Sequence, residues 1–427
     1  MVAGCSLIKI TDPPPTGLED EKDYGPPLTE IRFEGLGYTK ESIVRRQMAS
    51  KVGQAYTEEL ARQDWKNLDR LGIFSSIHFD VEPDDNRENE GIVLTVTVTE
   101  INPYTPSVKI GITDENGLSF GLGASSANLF GRALKANASF NVGGEEGVKF
   151  GIRSPWYPGR RPQYKVDFSW QIRDNNLDDF RENAITLESL IQTNVSGNGR
   201  LGAFFLYYSI GSDTDGVTLD PDNRDEVPLL GAFVGLDSRN SAENPTSGWL
   251  VYVDGGRVLW GSANYWRGNI DVRAFYSPWN RHTLAFFTFT TWTTGVIGVD
   301  IPIWDDFHIG GTNSVRGWTF DARVGQNQSL STIEYRYILL PPELVQISFL
   351  KMDMGLELAA FWDGGTAWYQ DRPVADQIIG GLGLGIRLLL PSVSMLRFDF
   401  GVGESGAAIT LRIGSNSKAV AQRQRVR

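Results

Sequence analysis

The stretch Tyr164–Arg173, YKVDFSWQIR, alternates strictly between two kinds of side chain. One face of an extended chain would carry Tyr164, Val166, Phe168, Trp170 and Ile172. The other face would carry Lys165, Asp167, Ser169, Gln171 and Arg173. Successive side chains of a β-strand point to opposite faces of the sheet, so this period of two predicts a strand with one apolar and one polar face.

The same alternation recurs through the second part of the chain. It is clear in Leu134–Val142, in Leu396–Val402 and in Ala407–Ile413. A soluble sandwich would need a second sheet to cover the apolar face, but here the opposite face carries charge in most segments. A closed barrel in lipid satisfies both faces. The sequence therefore predicts a transmembrane antiparallel β-barrel of about sixteen strands over residues 103–414.

The composition limits the classes of function. The 427 residues carry a formal net charge of −12, so the chain lacks the basic face of a general nucleic-acid binder. No apolar run reaches the ~18 residues of a transmembrane helix. A single cysteine excludes an intrachain disulfide and a cysteine-based metal site. Because no catalytic triad spacing, nucleotide loop or metal-ligand cluster occurs, we expect no enzyme activity, no catalytic residue, no metal and no cofactor.

The two ends of the sequence differ from the alternating region. Residues 1–27 are rich in proline and acidic residues and predict an extended linker. Val2–Cys5, VAGC, resembles the end of a bacterial lipoprotein signal, but the charged and apolar regions that normally precede it are missing. Lipidation of Cys5 and a chance match therefore both stay open. Residues 415–427 are expected to form a polar, basic tail.

Residues 28–102 predict a small α+β domain with the order β-α-α-β-β. Leu28–Leu36 and Gly91–Glu100 alternate as strands do, and Thr57–Leu71 has helical spacing with Thr57 as its N-cap. The phrases FEGLGYTKESIVRR, VGQAYTEELARQDWKNLDRLGIFSSIHFDVEP and LTVTVTE resemble a POTRA (polypeptide-transport-associated) domain. The resemblance implies a periplasmic module that receives extended client segments by strand addition at a sheet edge.

A long connection, residues 293–326, separates the eleventh and twelfth predicted strands. It exceeds the ~12–15 residues of ordinary unstructured loops. Two interpretations stay open: an exposed glycine-rich hairpin loop, or a loop that folds into the barrel. In the second interpretation the loop acts as a latch inside the barrel. The predicted latch residues are Gly310, Gly311, Val315, Arg316, Gly317 and Trp318. A buried Arg316 needs partners, and strand parity places Glu334 and Asp363 on the lumenal face.

Four phrases resemble the BamA/TamA superfamily of outer-membrane insertases and two-partner-secretion transporters. They are GGTNSVRGW, STIEYRYILLPP, FWDGGTAW and GLGLGIRLLLPSVSMLRFDFG. In that family the arginine of the VRG(F/Y) motif contacts lumenal acidic residues, and the matching positions here are Arg316, Glu334 and Asp363. Trp318 stands where Phe or Tyr is usual. The resemblance implies a 16-stranded barrel in a bacterial-type outer membrane, with the POTRA domain in the periplasm.

The resemblance also implies a function in membrane biogenesis. The chain would capture client polypeptides with its POTRA domain and insert or translocate them at the barrel without nucleotide hydrolysis. A two-partner-secretion transporter and a passive structural barrel or pore are the alternatives. The expected partners are outer-membrane or secreted client polypeptides, outer-membrane lipids and accessory periplasmic or lipoprotein subunits, with no nucleic acid. The expected barrel seam comprises Val108, Ile110, Ile112, Ile409 and Leu411.

Overall fold

A small α+β domain comes first along the described chain. In the computed structural model its elements are β1 (Leu28–Glu34), α1 (Glu41–Arg45), α2 (Glu58–Asp69), β2 (Phe74–Pro83) and β3 (Ile92–Glu100). The sheet order is β1-β3-β2, with β1 parallel and β2 antiparallel to the central β3. The predicted order β-α-α-β-β is therefore confirmed, and β2 lies at an edge of the sheet.

The structure describes most of the chain outside its two ends. The described residues are 26–84, 91–113, 117–155, 162–175, 179–195, 198–241, 244–311, 314–319, 321–347, 350–370, 374, 377–390, 394–404 and 406–413. Cys5 and the tail 415–427 lie outside them. Neither described helix has the length and apolarity that a membrane crossing requires.

The alternation of β3 and the helical spacing of α2 together produce the core of the small domain. Leu94 and Val96 from β3 and Leu68 from α2 are fully buried in one apolar cluster. The side chain of Thr57 caps α2 by accepting a hydrogen bond from the Leu60 N–H at 3.3 Å. Capping of this kind satisfies a donor that the first turn of a helix leaves unpaired.

The pKa values of two carboxylates in this domain are shifted in opposite directions. Burial raises the pKa of Asp64, although its carboxylate accepts hydrogen bonds from Ser50 and the Ala49 N–H. Partial burial acts in the same direction on Glu100, but hydrogen bonds from Thr39 and from the backbone N–H groups of residues 37–39 outweigh it, so the pKa of Glu100 lies below its usual value. Glu100 therefore holds the segment that follows β1.

Sixteen strands form the large antiparallel sheet. They are β4 (Tyr104–Thr113), β5 (Gly117–Leu129), β6 (Leu134–Gly143), β7 (Glu146–Arg153), β8 (Gln163–Asn175), β9 (Phe180–Asn194), β10 (Gly199–Ser212), β11 (Arg224–Asp237), β12 (Gly248–Val258), β13 (Trp266–Tyr276), β14 (His282–Thr293), β17 (Asn327–Ile347), β18 (Leu350–Trp368), β19 (Ile379–Leu390), β20 (Ser394–Gly403) and β21 (Gly406–Ile413). Sequential strands are neighbours throughout, except that β14 pairs with β17. The number of strands agrees with the prediction, and β4 and β21 stand at the two ends of the order.

A separate hairpin lies within the long connection between β14 and β17. A short 3-10 helix, Ile303–Asp305, precedes β15 (Phe307–Ile309), which pairs antiparallel with β16 (Arg323–Gly325). Residues 307–325 are called the Arg316 loop below. The loop therefore has its own two-stranded base.

The chain divides into two compact units, residues 1–171 with 188–193 and residues 172–187 with 194–427. Within the first unit, the turn between β5 and β6 contacts the POTRA domain. Asn128 donates its side-chain N–H to the hydroxyl of Thr39 at 2.7 Å, and the Lys40 N–H donates to the carbonyl of Gly131 at 2.8 Å. Tyr38 and Tyr104 share a hydrogen bond of 2.9 Å between their hydroxyls. The segment held by Glu100 is thus the segment that touches the sheet.

The second unit realises the predicted alternation of faces. Along β20, Phe398 and Phe400 are about half exposed, at 48% and 47%, whereas Arg397 and Asp399 are buried, at 4% and 2%. The outward face is apolar and the inward face is charged. This inversion of a soluble protein's pattern is what a strand needs between lipid and a lumen.

Candidate functional site

The Arg316 loop closes on itself before it reaches the sheet. The Gly311 N–H donates to the carbonyl of Trp318 at 2.9 Å, and the Ser314 hydroxyl donates to the carbonyl of Gly310 at 2.6 Å. Gly317 adopts a φ of +93°, in the left-handed region that favours glycine. These contacts set the backbone conformation of the described residues on either side of Arg316.

Arg316 grips one carboxylate with three donors. Its Nε donates to Asp363 Oδ2 at 2.6 Å, its Nη2 donates to Asp363 Oδ1 at 2.8 Å, and its backbone N–H donates to Oδ2 at 3.2 Å. Thr332 adds a hydroxyl donor to Oδ1 at 2.8 Å. The guanidinium carbon lies 3.2 Å from the centre of the Phe361 ring. Such a bidentate contact uses the planar guanidinium group of arginine, which lysine does not have.

A second carboxylate completes the coordination of Arg316. Its Nη1 donates to Asp399 Oδ2 at 2.7 Å, while the nearest oxygen of Glu334 lies 4.0 Å from Nη1. Arg397 also donates to Asp399 Oδ2, at 3.1 Å. Arg316 thus reaches from β18 across to β20.

Glu334 belongs to the neighbouring part of the same cluster. Arg336 Nε donates to Glu334 Oε1 at 2.6 Å, and Arg387 Nη2 donates to Glu334 Oε2. Arg387 Nη1 also donates to Glu357 Oε1 at 3.1 Å, and Arg397 Nη2 lies 3.8 Å from Glu334 Oε2. Glu334 therefore joins two arginines of the sheet.

We call this cluster the arginine network. Its members are Arg316, Arg336, Arg387, Arg397, Glu334, Glu357, Asp363 and Asp399. Four cations face four carboxylates, and every member is at most 4% exposed. Burial of ions is tolerated only when each ion is paired and hydrogen-bonded. The balance of charge is therefore a condition for folding this face of the sheet.

Glycines of β19 and β20 make room for the loop. A Cβ on Gly381 would overlap the carbonyl oxygen of Arg316, and a Cβ on Gly401 would lie 2.9 Å from its carbonyl carbon. A Cβ on Gly403 would lie 2.5 Å from the indole of Trp318. Real Cβ atoms do not approach neighbours so closely, so these three glycines form a lane in which the loop lies against the strand backbones.

Apolar contacts also attach the Arg316 loop to the sheet. Ile309 and Val315 from the loop are fully buried against Leu330, Ala367 and Ile379. The Trp318 indole N–H donates to the carbonyl of Gly380 at 2.7 Å. The loop is therefore attached by apolar packing at Ile309 and Val315 and by ion pairs at Arg316.

The structure brings the three central predicted residues together and adds others. Arg316 and Asp363 are in direct contact, and Glu334 lies at the edge of contact distance. Sequence reasoning missed Asp399, although the alternation of Leu396–Val402 puts it on the inward face. Among the predicted latch glycines, Gly317 packs on β20, where its Cβ would lie 2.5 Å from the Gly403 nitrogen.

The predicted seam residues are only partly described. Val108 is 73% exposed and pairs with Leu122 of β5. Ile110, Ile112, Ile409 and Leu411 have described backbone pairing, but their side chains lie outside the described part of the structure. Within the described residues, no group of three or more metal-ligating side chains could hold a metal ion.

Comparison with known families gives two matches. Residues 128–413 match the family described as the Omp85 superfamily domain, and residues 26–101 match the POTRA family described as a surface antigen variable number repeat. The first match covers more than half of the chain.

Two curated relatives are outer-membrane assembly factors. The chain is 21% identical over 412 residues to the outer membrane protein assembly factor BamA of Nitratidesulfovibrio vulgaris, covering 88% of this chain and 48% of the relative. It is 22% identical over 326 residues to BamA of Neisseria meningitidis, covering 68% of this chain and 39% of the relative. The chain thus spans less than half the length of these two relatives.

Two solved structures share the fold. BamA from Haemophilus ducreyi lacking POTRA domains 1–3 matches with a TM-score of 0.69 at 14% identity, over 96% of this chain and 88% of that one. CdiB from Escherichia coli matches with a TM-score of 0.63 at 16% identity, over 91% and 75%. Because the Omp85 match covers more than half of the chain, the chain belongs to the Omp85 superfamily, as an outer-membrane β-barrel protein with a periplasmic POTRA domain.

Proposed function

We propose that this protein is an outer-membrane assembly factor of the BamA/TamA type that passes client polypeptides from its POTRA domain to its barrel. The observation that carries the proposal is the pair of sheets on one chain. The POTRA sheet ends in the edge strand β2, and the large sheet ends in β4 and β21. Unpaired strand edges are templates on which an extended polypeptide adds as a further strand.

Capture at β2 fits the surface of that strand. Ile77 and Phe79 point into the domain core, while Ser75 and Glu82 are exposed. A client strand added beside β2 would gain main-chain hydrogen bonds without displacing the core. Affinity from main-chain bonds is insensitive to client sequence, as a factor with many clients requires.

Transfer to the barrel is proposed to occur at the terminal strands of the large sheet. By pairing with the terminal strand β4 or β21, a nascent client strand would shield its own backbone groups from lipid. Hydrogen bonds between the client strand and the terminal strand replace those that the client made before, so the proposed step needs no nucleotide hydrolysis. Outer-membrane lipids and accessory periplasmic or lipoprotein subunits are proposed partners of this step.

The Arg316 loop is proposed to keep the second unit in shape during this exchange. It contacts Asp363 of β18, lies against the backbone of Gly381 in β19, and contacts Asp399 of β20. These strands directly precede β21. A fixed base next to a strand that accepts clients would confine the disturbance to the terminal strand.

Site-specific photo-crosslinking tests the capture step. A photoreactive amino acid at Ser75 or Glu82 of β2 is expected to crosslink to unfolded outer-membrane polypeptides. The matched control carries the same group at Gln63, an exposed position on α2. Equal crosslinking from both positions would contradict capture at β2.

Depletion followed by proteomics of the outer membrane tests the breadth of the function. We expect many barrel proteins to decrease together. Loss of one exported partner would instead identify a two-partner-secretion transporter, and an unchanged proteome with conductance in liposomes would identify a passive pore. Either of these results would overturn the proposed assembly function.

A further inference from the structure

Hydrogen bonds of Asn240 and Ser277 organise the described part of the connection between β11 and β12, residues 238–241 and 244–247. The Asn240 side-chain N–H donates to the Thr246 hydroxyl at 2.7 Å, and Asn240 Oδ1 accepts from the backbone N–H of Thr246 at 3.0 Å. Ser277, in the connection between β13 and β14, donates its hydroxyl to the Thr246 carbonyl at 2.9 Å. We call residues 238–247 the Asn244 turn.

The tip of the Asn244 turn enters the arginine network. Asn244 Oδ1 accepts from Arg336 Nη1 at 3.2 Å, and the Pro245 carbonyl accepts from the same nitrogen at 3.3 Å. Asn244 Nδ2 donates to Glu357 Oε2 at 3.4 Å. One amide side chain therefore contacts a cation and a carboxylate of the network, each with its complementary end.

The Asn244 turn and the Arg316 loop leave the sheet at opposite ends. Strands alternate in direction, so the connection β11–β12 lies at the same end as β13–β14, as the contact from Ser277 shows. The connections β12–β13 and β14–β17 lie at the other end. The network is consequently held from one end by Arg316 and from the other end by Asn244.

A continuous series of contacts connects Asn244 at one end of the network to Arg316 at the other. Arg336 connects Asn244 to Glu334, and Arg397 lies against both Glu334 and Asp399. Asp399 receives Arg316 Nη1. The charged side chains of this series are buried, and Asn244 is partly buried. In a buried environment charges are weakly screened, and a shift of one partner changes the energy of the next.

We propose that Asn244 is a positioning residue for the Arg316 loop: it orients Arg336 and Glu357 so that the far side of the network is complete when Arg316 binds. The inference rests on the proposed role of the loop, but it is tested on the isolated protein without a client. A failure of the assembly function would therefore leave this test intact, and the reverse also holds.

Hydrogen exchange of the full-length protein in detergent or nanodiscs measures opening of the Arg316 loop. Asn244→Ala should increase the exchange of loop amides about 10- to 100-fold, because a hydrogen bond to a charged group is worth about that factor. The control Ser247→Ala removes an exposed side chain of the same turn. It should leave loop exchange unchanged.

An exchange of chemical groups separates positioning from simple destabilisation. Asn244→Asp keeps the acceptor for Arg336 but places a second carboxylate beside Glu357, so it should also loosen the loop. Combining it with Glu357→Gln swaps the amide and the carboxylate between the two positions and restores both the donor and the charge balance. The double variant should return loop exchange to within about threefold of the wild type.

The outcomes decide the proposal. If Asn244→Ala raises exchange only within residues 238–247, or if the double variant exchanges as fast as Asn244→Asp alone, Asn244 does not position the loop. If Asn244→Ala does not fold, the isosteric single and double variants carry the same decision. Protection of the loop that is lost in Asn244→Asp and regained in the double variant supports the proposal.

Discussion

Replacing Arg316 by alanine should detach the Arg316 loop and destabilise the second unit. The substitution removes both bonds to the Asp363 side chain and the bond to Asp399 Oδ2. Asp399 keeps Arg397, but among the described residues Asp363 keeps only the Thr332 hydroxyl and the backbone N–H of position 316. A fully buried carboxylate is thereby left without a cation.

The expected cost follows from that uncompensated charge. Removing one partner of a buried ion pair typically costs about 3–5 kcal/mol, which lowers the folding equilibrium constant roughly 10²- to 10⁴-fold. Arg316→Lys keeps the charge but loses the fork and the stacking on Phe361, so its cost should be smaller. Adding Asp363→Asn to Arg316→Ala removes the orphaned charge, so the double variant should cost less than the sum of the two single variants.

Two measurements test this prediction. Urea titration of the heat-modifiable, folded band gives the free energy of unfolding, and hydrogen exchange gives the opening of the loop. The matched control is Arg273→Ala, which breaks a buried, two-toothed pair with Asp271 inside β13. Arg273→Ala should lower stability without raising exchange in the loop. The reasoning is refuted if Arg316→Ala and Asp363→Ala both leave the unfolding midpoint and the loop exchange at their wild-type values.

Three further predictions concern close packing and pH. Gly381→Ala should displace the Arg316 loop at a cost of about 1–3 kcal/mol, whereas Gly268→Ala, whose nearest neighbour would be 3.8 Å away, should be tolerated; urea titration compares the two variants. Because the folded pKa of Glu100 is lowered, its contribution to stability is present above the unfolded value of about 4.3 and is lost as pH falls through the folded pKa; pulse proteolysis of the POTRA domain in the full chain should show this loss in the wild type and not in Glu100→Gln. The folded pKa of Asp64 is raised by burial, so its contribution is fully present below about 3.9 and is lost as pH rises through the folded pKa; a wild-type domain whose stability did not depend on Asp64 in that direction, relative to Asp64→Asn, would contradict this sign.

The fold could be predicted because its signal is local. A period of two in a segment such as Leu396–Val402 assigns each side chain to a face without any knowledge of distant residues. The POTRA domain could be predicted for the same reason, since the order of its elements and the cap at Thr57 depend on residues close together in sequence. Parity likewise placed Glu334 and Asp363 on the inward face, where both are buried.

The partners of Arg316 could be predicted only in part because they depend on the path of a loop. Parity identifies which face a carboxylate occupies, but not which strand the loop crosses. The loop crosses to β20, so Asp399 is a direct partner, and Glu334 is occupied by Arg336 and Arg387. Gly381, Gly401 and Gly403 mark that path because a side chain at any of them would collide with the loop. The sequence alone does not show which segment lies against these glycines.

The origin of the four cations explains why the loop is held by charge as well as by apolar packing. Arg336, Arg387 and Arg397 come from strands of the sheet, and only Arg316 comes from a loop. If the loop withdraws, three cations face four carboxylates, and the inward face of β17–β20 carries one uncompensated negative charge. Apolar contacts such as that of Val315 would hold the loop in several neighbouring positions, since they have no direction. The fork of Arg316 fits one arrangement of Asp363 and Asp399, so the network favours one position of the loop over its neighbours.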